Sequence, residues 1–236
     1  MKSQSEYSRN DGRKGPGVFA PAVPKGALFC LVLLTLLAFA VAPALAQSNL
    51  RKIDTLHDTA VDDSGTALPC DGSADTHYLL VSAPPSIYPN GSTFTGGLAY
   101  STTVYPGWVT QYSQTCNGWI TAENFGTNQP GSLAAGYYTY ETKFEVCCLD
   151  PTSLQLSLYM AADNDACVYV NGASQPALCT VTTYGFKQFV GSTNDILYSA
   201  TTAPFVVGTN RLDFVVHNEG SVTGLNVKVY GYGQRL

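Results

Sequence analysis

Charge is scarce in this sequence. Only 12% of its 236 residues are Asp, Glu, Lys or Arg, and acidic residues outnumber basic ones by 17 to 12. Phosphate binding needs Lys and Arg in patches. No basic patch occurs after residue 52, which argues against a nucleic-acid partner. Histidine is sparse too, with three scattered along the chain. There is no C-x-x-C pair, so the spacing of a structural zinc site is missing. Neither G-x-S-x-G nor H-E-x-x-H is present to mark a hydrolase. Glu141 and Glu145 fall on one face of an expected strand, about 13 Å apart at ~3.3 Å per residue. Glycosidase carboxylate pairs stand about 5–9.5 Å apart. A pair built between strands stays open. Helical periodicity is missing after residue 47. These absences leave little footing for catalysis and set the expectation of a non-enzyme, with a hydrolase built on an inter-strand pair as the alternative.

What is present starts with a leader. Lys2, Arg9, Arg13, Lys14 and Lys25 precede an apolar run of sixteen residues, 27–42, followed by Pro43-Ala44-Leu45-Ala46. A basic segment, an apolar core and an A-x-A site make a secretory signal peptide over 1–46. The alternative is an uncleaved anchor, since the run approaches the ~20 residues that span a bilayer. Cys30 lies near the start of the run, directly after Leu28-Phe29 rather than small residues, the wrong place for a lipid-modified cysteine. Cleavage after Ala46 removes five of the basic and two of the acidic residues and leaves a more acidic chain. The expected location is secreted or extracellular. Periplasmic retention and membrane anchoring through the leader are the alternatives.

Six cysteines remain: Cys70, Cys116, Cys147, Cys148, Cys167 and Cys179. An even number on an exported chain points to disulfides. Cys167 and Cys179 flank Asn171-Gly172 and are placed to staple a hairpin; Cys70 and Cys116 both lie in the amino-terminal part. Cys147 and Cys148 either join each other or reshuffle the set. In a regular strand they point to opposite faces.

Residues 47–69 are polar and carry Asp54, Asp58, Asp62 and Asp63, which reads as a flexible lead-in. Strands are expected at 77–82, 98–109 and 119–121, and a loop at 126–136. The pattern sharpens in YYTYETKFEVCC. There Tyr138, Tyr140, Thr142, Phe144, Val146 and Cys148 share the inward face. Leu154, Leu156, Leu158, Met160 and Ala162 form a second inward set, followed by a strand at 166–170. Weaker strands are expected at 184–190 and 196–198. Leu212, Phe214 and Val216, then Leu225, Val227 and Val229, alternate again before the fraying end GYGQRL. Asn90-Gly91-Ser92 is a formal glycosylation sequon. Short alternating strands with turn signals every 8–12 residues or so predict one all-β domain over 70–236, an antiparallel β-sandwich or jelly roll.

The segment AADNDACVYVNG brings two turn signals together. Asp163, Asn164 and Asp165 supply side chains that bond nearby backbone, and Asn171-Gly172 accepts positive φ. The order continues with Gly208 and Asn210 in VVGTNRLDFVV, and with Asn218-Glu219-Gly220 before Thr223-Gly224-Leu225. Trp119-Ile120, and Gly136 with Tyr138-Thr139-Tyr140 and Phe144, come earlier. This series, over about 98–233, resembles the galactose-binding-domain-like jelly roll of bacterial secreted proteins. It is also similar to the sugar-binding β-sandwich of family 2 glycosidases. The resemblance implies a sandwich of about eight strands, in which Asp163, Asn164, Asn171, Gly172, Gly208 and Asn210 shape turns, and a packing role for Trp119. It also implies a bound calcium as a possibility. Asp163 and Asp165 are weak ligands for one, because the spaced D-x-[DN]-x-[DN]-G loop is missing.

Sugars are gripped by flat aromatic rings and a few polar groups. The candidates are Trp108, Trp119, Tyr105, Tyr112, Tyr169, Tyr184 and Phe186, with His217 and Asn218 at a strand end. Trp108 follows Pro106-Gly107, hence a turn, and is a better candidate for exposure than Trp119. Strands favour aromatics for packing alone, and Asn218 suits a bond to backbone. The expected partner is a glycan; the alternative is an extracellular protein held by a structural or adhesive domain.

Overall fold

A computed structural model gives the fold and describes residues 49–85, 96–110, 118–180, 184–187, 190–191 and 205–236. The leader, Asn90, Tyr112, Cys116 and the strand expected at 196–198 lie outside the described residues. Every strand pairing is antiparallel, and no α-helix occurs among the described residues.

Eleven strands run in chain order: β1 (Leu50–Lys52), β2 (Ala74–Ser82), β3 (Gly97–Ser101), β4 (Trp119–Thr121), β5 (Gly136–Val146), β6 (Gln155–Asp163), β7 (Asp165–Val170), β8 (Leu178–Cys179), β9 (Val190–Gly191), β10 (Gly208–Asn218) and β11 (Gly224–Gln234). They form one curled sheet in the order β8-β7-β10-β5-β2-β3-β4-β11-β6-β9, with β1 added to β11. Alternation explains the core. Tyr138, Tyr140, Thr142, Phe144 and Val146 of β5 are buried, as are Leu156, Leu158, Met160 and Ala162 of β6. Phe214 of β10 and Val227 of β11 join them in one apolar cluster. Both halves of the curled sheet contribute side chains to this one cluster. The chain crosses from one half to the other at Asn164, between β6 and β7, which pair with β11 and β10 rather than with each other. The Asp163–Asn164 peptide is cis.

Five expectations are corrected. From Asn49 onward the expected lead-in is packed. β1 pairs with the end of β11, and Ile53, Leu56, Ala60 and Val61 are buried. Its polarity is structural: Asp58 Oδ1 accepts the Val229 N–H at 2.8 Å. Asp62 Oδ1 accepts from Ser64 and Thr66 N–H groups. Thr59 Oγ1 donates to the Gly118 carbonyl and accepts from Val227 N–H. Asp75, fully buried in β2, accepts the Ala60 N–H at 2.7 Å. Next, the strand expected at 98–109 stops at Ser101, because Trp108 turns back over the sheet. In place of the strand expected at 184–190 a 3-10 turn spans Gly185–Lys187, before the two residues of β9. Gly185 lies so close that an added Cβ would stand 3.0 Å from the Ala162 and Asn164 carbonyls.

The carboxyl end does not fray at 231. β11 continues to Gln234, and Gly231 and Gly233 admit the side chains of Leu156 and Leu154 against bare backbone. Finally, Cys148 leaves the inward face: β5 ends at Val146, Cys148 takes φ +62, and both Cys147 and Cys148 are exposed.

Candidate functional site

The two outer faces of the sheet differ. Around Trp119 of β4, Ala161 of β6 and Asn226 of β11 the face is covered, whereas Lys228 and Tyr232 farther along β11 are exposed. Trp108 and Trp119 stack there with centroids 4.1 Å apart, flanked by Ala161 and Val222 and by half-buried Tyr105 and Phe186. Trp108 Nε1 donates to Asp163 Oδ2 at 2.7 Å, and Trp119 Nε1 donates to the Val109 carbonyl at 2.9 Å. Trp108, the better candidate for exposure of the two tryptophans, is 4% exposed, because its indole N–H finds a buried carboxylate and its ring finds Trp119. Burial raises the Asp163 carboxyl to about 6 despite that donor. Trp119 is fully buried.

The opposite outer face, over β2, β5, β10 and β7, is open. Alternation sends Tyr137, Thr139, Glu141 and Lys143 of β5 outward, with Arg211, Asp213, Val215 and His217 of β10 and Tyr169 of β7. Register then aligns them. Asp213 stands opposite Glu141 on one side and Tyr169 on the other, and Glu141 stands opposite Leu79. Leu79, Glu141, Asp213 and Tyr169 thus make one row across four strands, with neighbouring Cβ atoms about 4.5–5.5 Å apart. A second row places Tyr137 opposite His217 and His217 opposite Asp165.

Two carboxylates directly opposite repel each other. Here cations offset the repulsion. Arg211 Nε lies 2.9 Å from Asp213 Oδ2, Arg211 Nη1 lies 3.6 Å from Glu141 Oε2, and Lys143 Nζ lies 3.0 Å from Glu141 Oε1. Burial raises the Asp213 carboxyl above its ordinary value, with Arg211 pulling the other way. Tyr137, 63% exposed, stacks on His217 at 4.9 Å, and the His217 Nδ1 pairs with Asp165 Oδ2 at 3.2 Å. Around the first row, reaching Gly172, lies a shallow depression of about 530 Å³ lined by Glu141, Tyr169, Arg211 and Asp213.

Of the sequence candidates, Tyr169 and His217 reach this face together. Tyr184 is exposed elsewhere, its ring 4.4 Å from Lys187 Nζ. Asn218 is buried and donates through Nδ2 to the Leu133 and Ala134 carbonyls, a backbone role. Asn171 and Gly172 take positive φ at the turn after β7, and Asn171 Oδ1 accepts the Arg211 N–H, which ties that turn to β10. Asn210, fully buried, donates to the Val206 and Gly208 carbonyls. Asp163 and Asp165 do not converge on a metal: one meets Trp108, the other His217. No group of three or more His, Cys, Asp or Glu placed to hold a metal occurs among the described residues.

Sequence reasoning weighed Glu141 only beside Glu145 and missed Lys143, Arg211 and Asp213. Their outward positions were legible, but their meeting depends on register. It also missed a second polar cluster in the presumed lead-in. His57 and His77 stack at 3.8 Å, and His77 Nε2 meets Asp63 Oδ1 at 3.0 Å. His57 and Asp63 border a groove of about 350 Å³ that also includes Lys52, Asp58, Lys228 and Tyr230. Comparison with protein-family models, with curated proteins and with solved structures finds no match to this chain.

Proposed function

We propose that this chain is an exported jelly-roll β-sandwich of the galactose-binding-like kind that binds carbohydrate without cleaving it, on the open face of β2, β5, β10 and β7. The observation that carries the reading is the row Leu79, Glu141, Asp213 and Tyr169 beside the stacked Tyr137 and His217. A pyranose offers one face of C–H groups and a rim of hydroxyls. Tyrosine rings give flat apolar surface with a polar tip. Glu141 and Asp213 accept from hydroxyls, and Arg211 and Lys143 donate to them. Carboxylates on this face outnumber cations, so neutral glycans fit better than uronates or sulfated chains.

Two further observations support the wider reading. The halves of the curled sheet share one core, as sandwich layers do. Cys167 and Cys179 are joined, which suits an oxidising compartment outside the cell. No helix among the described residues is long and apolar enough to cross a membrane.

Titration calorimetry of the chain from residue 47 against neutral, uronic and sulfated oligosaccharides tests the proposal. Binding of a neutral sugar, weakened at least about tenfold by Tyr169→Ala or Asp213→Asn, is expected; tenfold is ~1.4 kcal/mol, one good contact. No binding anywhere across the panel overturns it. A second reading, contact with an extracellular protein, is favoured by the exposed Leu79, Val81 and Tyr137 on the same face.

A further inference from the structure

The described cysteines fall into two kinds. Cys167 and Cys179 stand opposite each other in β7 and β8 and are joined, and Cys70 is disulfide-bonded as well. Cys147 and Cys148 are thiols, both exposed, with their Sγ atoms 3.3 Å apart. Adjacent residues of a regular strand carry their side chains on opposite faces. The contact therefore needs the φ of +62 at Cys148, which turns it out of alternation.

Both sides of the pair are fixed. Val146 is buried opposite Gly208, and the Glu145 N–H donates to Thr55 Oγ1 at 2.8 Å. Leu149 is buried and bridges to Arg235, while the Cys148 carbonyl accepts the Leu236 N–H at 3.0 Å. The path of the backbone, held at both ends, brings the two sulfurs together.

We propose that Cys147 and Cys148 form a vicinal dithiol site that closes to a disulfide by exchange with a small-molecule disulfide, and reopens under conditions that leave Cys167–Cys179 joined. One cysteine thiolate attacks a sulfur of the reagent. The reagent S–S bond breaks, a mixed disulfide forms and one reagent thiolate leaves. The second cysteine loses its proton to solvent, and its thiolate attacks the protein sulfur of the mixed disulfide. The Cys147–Cys148 bond forms and the second reagent thiolate leaves. Two protein thiols lose two electrons, and one reagent disulfide becomes two thiols.

The second step is intramolecular between atoms already in contact, so no loop need be ordered to reach it. The resulting ring encloses a single peptide and stands in solvent. Exposed and constrained disulfides are the labile ones, whereas Cys167–Cys179 is held between paired strands. The Cys148 thiol, and more weakly the Glu145 charge, hold the Cys147 thiol above its ordinary value. Closure therefore quickens as pH rises, because the thiolate is the attacking form.

The test equilibrates the folded protein in glutathione buffers of stepped potential, blocks free thiols with a maleimide after acid quench, and counts labels by peptide mass spectrometry. The expected result is a peptide that passes from two labels to none, with closure completed and reversed while Cys167–Cys179 stays unlabelled. Cys147→Ser and Cys148→Ser, both at exposed positions, should each stop at the glutathione mixed disulfide. The proposal fails if either cysteine pairs with Cys70, Cys167 or Cys179, or if both stay thiols in the most oxidising buffer. It also fails if the pair opens only together with Cys167–Cys179.

Discussion

Asp163→Asn should make this protein more stable at neutral pH, and only there. Asp163 is 5% exposed, and burial raises its carboxyl from 3.8 to about 6. An acid with a raised native pKa keeps its proton in the folded state after the unfolded chain has released it. Between about pH 4 and pH 6 the native state binds more protons, so stability falls as pH rises and then levels off. Each tenfold gain in proton affinity is worth ~1.36 kcal/mol, so a rise of this size has an upper bound of about 3 kcal/mol. Asparagine keeps an oxygen where Asp163 Oδ2 accepts the Trp108 Nε1–H at 2.7 Å, and it carries no charge to desolvate. Wild type and variant should agree near pH 3.5 and diverge by roughly 1–3 kcal/mol at pH 7. Urea unfolding at stepped pH measures this. The chain's two tryptophans, Trp108 and Trp119, stack beside Asp163 and report the transition by fluorescence. A variant less stable than wild type at pH 7, or a difference that ignores pH between 4 and 6, would overturn this account of the buried carboxyl.

The same fluorescence reads a second change. At Gly224 an added Cβ would stand 2.6 Å from Trp108 Cη2 and 3.1 Å from the Ile120 carbonyl. Gly224→Ala should therefore cost about 1–3 kcal/mol by overpacking and disturb the indole stack; an unchanged spectrum and urea midpoint would count against that packing. The stacked histidines should titrate in a fixed order by NMR. The Asp75 carboxylate, 3.6 Å from His77 Nδ1, chiefly raises His77 above 6.5, while burial, and then the His77 charge, lower His57. The His77 contribution is complete below pH 6.5 and lost as pH rises through its raised value. The His57 contribution is complete above pH 6.5 and lost as pH falls through its lowered value. His57 protonating at the higher pH of the two would contradict the geometry.

Much of the fold was legible because alternation is local. The inward sets of β5 and β6 can be read one strand at a time, and Trp119–Thr121 falls where its three residues suggest. The failures share a physical cause. Residues from 49 to 69 look too polar to pack, yet Asp58, Thr59 and Asp62 spend their side chains on backbone N–H groups, which no composition reveals. Gly231 and Gly233 look like loosened chain. They are close approaches to Leu156 and Leu154, visible only once β11 lies on its neighbours. Trp108 follows a turn dipeptide and looks exposed, but a carboxylate 55 residues away receives its N–H.

The candidate site was half legible for the same reason. Period two places Glu141, Asp213 and Tyr169 each on an outward face, but says nothing of how three strands slide past one another. A one-residue slip of β10 would send Asp213 inward and bring Leu212 out. The register is fixed by the burial of Leu212, Phe214 and Val216 and by the Asn171 turn that holds the Arg211 N–H. The core that excludes water on the inner side thus sets the row on the outer side. Residues that never meet a ligand, Phe214 and Asn171 among them, determine that two carboxylates, a guanidinium and a tyrosine stand together.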